Sequence, residues 1–166
     1  MALFDFMKIN VFSDVDGIVT LNGEPVSGAT VKQYAEVEFN SNKFNREVVT
    51  DSQGRFHFDA IYARTMNTFL PSANSVIQKI TIEYSGKQYQ AWKSIKNNYD
   101  YDGELNDVKA FVGERAEAKV FPNKVSSKNS GVTLTPIDLK CELSKDDSEI
   151  KSMGGAKTSV VGLCSL

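Results

Sequence analysis

Apolar and polar residues alternate with a period of two over several short stretches, the pattern of strands with one buried and one wet face. From Ala29 onward, Ala29, Val31, Ala35, Val37 and Phe39 fall on one face, and Thr30, Lys32, Tyr34, Glu36 and Glu38 on the other. Gln33 interrupts the apolar series and marks either a bulge or the wide end of a sandwich. Further along, Ile80, Ile82 and Tyr84 alternate with Lys79, Thr81 and Glu83 before the chain reverses at Ser85-Gly86-Lys87 into Gln88–Trp92. Ile137, Leu139, Cys141 and Leu143 alternate with Asp138, Lys140 and Glu142 and read as the closing strand.

Turn residues fall between these stretches. Ile18–Leu21 leads into Asn22-Gly23, a dipeptide that tolerates the positive φ angles of a type I′ reversal, with Pro25 and Gly28 following. Asp51-Ser52-Gln53-Gly54 places Asp at the start and Gly at the end of a second turn, between Glu47–Thr50 and Arg55–Phe58. Phe56 and Phe58 then face the core, while Arg55, His57 and Asp59 face out. No long segment carries helical periodicity. The spacing predicts an all-β antiparallel sandwich of seven to nine strands over residues 1–143, with Val31, Val37, Phe56, Phe58, Ile80 and Ile82 in its core. Residues 144–166 lack periodicity and read as a flexible C-terminal tail. Two irregular stretches, Arg64 to Gln78 and Lys93 to Lys128, read as long loops, the second with a short helix or strand between Val108 and Val120.

Charge narrows the function. The chain carries 19 Lys+Arg against 21 Asp+Glu, net −2, without the basic excess that nucleic-acid binding requires. No run reaches the roughly 18 apolar residues of a spanning helix, and Asp5 and Lys8 interrupt what a signal peptide would keep apolar. Neither nucleic acid nor membrane is therefore an expected partner, and a cytoplasmic location is expected. Cys141 and Cys164 are too far apart for a CxxC motif; a reducing compartment keeps both as thiols, whereas an exported or oxidised setting allows a disulfide tying the tail to the sandwich.

Candidate chemistry is sparse. His57, the single histidine, lies on an outer strand face with Asp59 its nearest helper. Asp100, Asp102, Glu104 and Asp107 offer alternate oxygen ligands of the kind calcium takes, but without the Gly and Glu positions of an EF-hand; Asp14-Val15-Asp16-Gly17 is shorter still. A solvated loop is the simpler account of both, and no metal or cofactor is expected. Tyr99, Asp100, Tyr101 and Asp102 join rigid aromatic area to negative charge in a polar loop, a combination suited to gripping a basic partner surface.

The runs Asp16–Val31 and Val49–Phe58 contain a "G-x-P-V-x-G-A-x-V"-like turn and strand and a "T-D-x-x-G-x-F" hairpin. They resemble the carboxypeptidase-regulatory-like and transthyretin-like families over about the first sixty residues; no "P-x-G-x-Y" hairpin aligns beyond Ile61. The resemblance implies a seven-stranded Ig-like sandwich and a non-catalytic module. The hydrolase branch of the transthyretin-like group is similar in scaffold only, since it needs several histidines and a terminal Tyr-Arg-Gly-Ser, and this chain ends Gly162-Leu163-Cys164-Ser165-Leu166. By analogy with sandwich domains carried on type VI secretion spikes, the expected function is a bacterial protein-binding module, an adaptor or immunity protein whose partner is a secreted effector. The alternative is a structural or carbohydrate-binding sandwich that oligomerises through strand edges.

Overall fold

The computed structural model describes residues 7–38, 42–65, 75–96, 101, 137–144 and 164–165. Among them the chain is all-β, with eleven strands and no helix. In chain order these are β1 (Met7–Phe12), β2 (Val15–Leu21), β3 (Glu24–Pro25), β4 (Thr30–Val37), β5 (Asn42–Val49) and β6 (Arg55–Phe58). They continue with β7 (Ile61–Thr65), β8 (Val76–Tyr84), β9 (Lys87–Lys96), β10 (Ile137–Glu142) and β11 (Cys164–Ser165). One sheet has the order β5-β4-β8-β9; a second runs β11-β10-β2-β3 with β6 also on β2; β1 and β7 form a two-stranded third. Buried residues of all three make one cluster, a sandwich-like arrangement.

The alternation maps onto this core directly. Val31, Val37, Phe56, Phe58, Ile80 and Ile82 are all buried, as the pattern predicts, and Trp92 joins them. The reversals at Asn22-Gly23 and Ser85-Gly86 put both residues of each pair at positive φ, the type I′ geometry their chemistry favours. Gly17 answers a different demand: Phe56, its cross-strand partner, lies so close that a Cβ on Gly17 would sit 2.2 Å from the ring. Only a residue without a side chain admits that ring.

Several expectations need correction. Among the described residues there are eleven strands, of which β3 and β11 have two residues each. β10 runs parallel to β2, from Ile137 beside Val15 to Glu142 beside Thr20, so the fold is not wholly antiparallel. At the Asp51–Gly54 turn Asp51 Oδ1 accepts from the Gln53 and Arg55 amides, yet the turn joins no hairpin: β5 pairs with β4 and β6 with β2. It carries the chain from one sheet to the other. Gln33 marks no bulge either, since β4 pairs with β5 and β8 in unbroken register; the side chain is turned inward and is 1% exposed. The bulge of this sheet lies between Ile80 and Thr81, where β9 gains a residue.

The two cysteines are not idle thiols. Pairing of β10 with β11 sets Cys141 opposite Cys164 at a Cα separation of 4.1 Å, and the two form a disulfide. Residues 145–163 of the predicted tail lie outside the described residues, but its end is fastened to the second sheet. Glu142 makes a further clasp there, accepting from the Asn22 and Gly23 amides, the Thr20 hydroxyl and the Ser144 amide and hydroxyl. Burial pulls its pKa upward, but these donors outweigh that and hold it at about 2.

Candidate functional site

Two places gather chemistry. The first is built on the pairing of β2 with β6, which sets Asp16 opposite His57 on the outer face. His57 Nδ1 lies 2.7 Å from Asp16 Oδ1 and Nε2 lies 3.1 Å from Asp59 Oδ1. The Asp16 carboxylate, then that of Asp59, holds the imidazole above its ordinary pKa against a weaker downward pull from burial. Asp14, immediately before β2, accepts the Ala60 amide at 2.8 Å and the Tyr101 hydroxyl at 2.6 Å.

Donor atoms of Asp14, His57 and Asp59 all lie within 4.8 Å of one another, the set among the described residues with the atoms to ligate a cation. Both imidazole nitrogens already have carboxylate partners, so a metal would have to take Nε2 from Asp59. As it stands the group is a complete hydrogen-bonded cluster.

Of the residues named for partner binding, Tyr99, Asp100 and Asp102 lie outside the described residues. Tyr101 is half-buried, and its hydroxyl is committed to Asp14. The acidic positions Glu104 and Asp107 also lie outside the described residues, whereas Asp14 and Asp16 both enter the His57 cluster. Nothing in their spacing reveals this, because the junction of β2 with β6 depends on a partner forty residues away.

The second place is the outer face of the β5-β4-β8-β9 sheet. Cross-strand register lines up Glu47, Lys32 and Thr81 in one row and Asn45, Tyr34 and Lys79 in the next. Together they line a groove of about 580 Å3. Lys32 donates to Glu83 at 2.8 Å, and that carboxylate holds its ammonium above the usual lysine range. The Tyr34 hydroxyl donates to Glu36, which raises its pKa, and Glu36 also lies 3.9 Å from Lys43. Arg46 also borders the groove and donates to the Asp59 carbonyl. Lys79 and Glu47, by contrast, have no ion-pair partner among the described residues. Alternation placed Lys32, Tyr34, Lys79 and Thr81 on wet faces; what it could not supply was the register that makes them neighbours.

Among the described residues no helix is long and apolar enough to cross a membrane. Residues 15–114 match the family described as a domain of unknown function, DUF6795. That stretch is more than half of the 166 residues, and the chain belongs to this family. It spans β2 to β9 and so includes His57 and the whole groove, while β10, β11 and their disulfide lie beyond it. No curated protein and no solved structure matches the chain.

Proposed function

We propose that this DUF6795 member is a non-enzymatic protein-binding module, an Ig-like, transthyretin-like sandwich that grips its partner on the outer face of the β5-β4-β8-β9 sheet. The groove carries the reading. Its walls combine the Tyr34 ring, the stems of Lys32 and Lys79 and the Asn45 amide, a mixture of apolar area and directional polar groups suited to a peptide segment. Lys32 and Lys79 outnumber Glu47, so an acidic segment fits, and Lys79 is the cation left to meet it. The bonding of His57 on both nitrogens favours recognition over catalysis. By analogy with sandwich domains that hold secreted effectors, such an effector is the first partner to try.

The test uses the full chain as bait in extract of its native cell, wild type beside Lys79→Glu, with melting temperatures measured for both. Loss of a stoichiometric wild-type partner from the variant, tenfold or more in affinity (~1.4 kcal/mol) at an unchanged melting temperature, supports the groove. Equal capture by both would move the interface elsewhere. Wild-type protein that recovers no stoichiometric partner would overturn the binding function itself.

A further inference from the structure

β5 is an open edge. It pairs with β4 at every position from Asn42 to Val49 without a register shift, contains no proline, and has no strand on its other side among the described residues. Its side chains are exposed except Phe44 and Val48, which are half-buried against the core. From Lys43 to Val49 this regular edge, uncovered among the described residues, presents its outward N–H and C=O groups as a template for another strand. Positions along it are charged in a particular order: Lys43, Arg46 and Glu47.

We infer that β5 pairs antiparallel with β5 of a second copy of this chain, about a two-fold axis at Asn45, to make a dimer with one continuous eight-stranded sheet. Symmetry restricts the register. Hydrogen-bonded and non-hydrogen-bonded pairs alternate along an antiparallel ladder, so an exact two-fold axis must pass where a residue faces its own counterpart. Centres on Lys43, Arg46 or Glu47 set that residue against its own like charge, which destabilises a cross-strand pair. A centre on Phe44 leaves Lys43 opposite an asparagine.

A centre on Asn45 puts Lys43 opposite the partner subunit's Glu47, and Glu47 opposite the partner subunit's Lys43, on the outer face. On the inner face it puts Phe44 opposite the partner subunit's Arg46, twice over, with no like charges facing each other. Glu47 is available because Lys32, its neighbour on β4, is already bonded to Glu83. Asn45 and Glu47 also line the groove, so two grooves would meet across the axis; the pairing itself rests on the edge and its charges, not on what the groove binds.

The experiment is sedimentation equilibrium on the full chain, with circular dichroism to verify folding. Wild type should weigh twice the 18.4 kDa monomer. Lys43→Glu and Glu47→Lys should each be monomeric, since either sets like charges opposite each other. The double variant Lys43→Glu/Glu47→Lys should recover the dimer, and an equimolar mixture of the two single variants should form a heterodimer. That rescue cannot arise from general damage to the fold. A monomeric wild type, or single variants that stay dimeric, would overturn the proposal, as would failure of both the double variant and the mixture to associate.

Discussion

His57 carries a carboxylate on each ring nitrogen, and the consequence is a pH dependence with a definite sign. Its folded-state pKa lies above the ordinary 6.5, so folding takes up a proton. The stabilisation is complete below pH 6.5 and is lost as the pH rises through the folded value. The imidazole and Asp16 are about half exposed, at 52% and 49%, so solvent screening holds the effect below about 1 kcal/mol. Melting temperatures followed between roughly pH 5 and 8 should therefore decline on the alkaline side in wild type and stay flat there in His57→Gln. An identical decline in the variant would assign it to another group. Gln33 makes the opposite case, a buried residue in the wrong company. Neither of its amide atoms has a partner among the described residues, and it faces the same interior as Val31 and Ala35. Leaving such groups unbonded costs about 1–3 kcal/mol, so Gln33→Leu should raise stability in chemical denaturation, by on the order of 1 kcal/mol. A loss of that size instead would show that the amide is bonded.

At the scale of elements, what local chemistry decides was legible and what distant pairing decides was not. Asn22-Gly23 and Ser85-Gly86 announce their turns because positive φ is a property of the dipeptide itself. β1 lacks a clean alternation because its interior positions are partly polar: Asn10 is buried, accepts from Lys96 Nζ at 2.6 Å, and donates to the Phe12 carbonyl. The Val11 carbonyl, in turn, accepts from Gln78. A polar seam of this kind is recognisable only once the strands are side by side. The groove has the same status, since its residues come from three strands that no local rule places together. The parallel return of β10 beside β2 is likewise a long-range event, and the Cys141–Cys164 bond secures its far side. That bond spans 23 residues, a loop whose closure removes enough unfolded-state freedom to contribute about 3 kcal/mol. Reductant should thus lower the melting temperature of wild type and leave Cys141→Ala/Cys164→Ala unaffected. Alkylation checks the premise, because both thiols should resist it until reductant is added; immediate labelling would mean that the pair is reduced.

Across the whole molecule, stability depends on one core into which all three sheets project, and the edge strand β6 tests how tightly they are joined. Phe58 is 3% exposed, packs edge to face with Phe56 at a centroid distance of 6.0 Å, and stands opposite Val15 on β2. Its neighbour Phe56 covers Gly17 and fills the space that a side chain there would otherwise occupy. Truncating Phe58 to Ala removes the ring's burial and leaves a cavity that surrounding strands, fixed by their own hydrogen bonds, cannot close. The cost should be about 3–5 kcal/mol, a large share of the roughly 5–15 kcal/mol that holds a domain folded. Urea denaturation is the measurement: the midpoint should fall with little change in slope, since the surface exposed on unfolding is nearly the same. Val49→Ala provides the control, because Val49 is 63% exposed on β5 and its truncation should stay within about 0.5 kcal/mol. A Phe58→Ala cost below ~1 kcal/mol would place that ring in solvent and require β6 to be shifted by one residue along β2, which would also part His57 from Asp16.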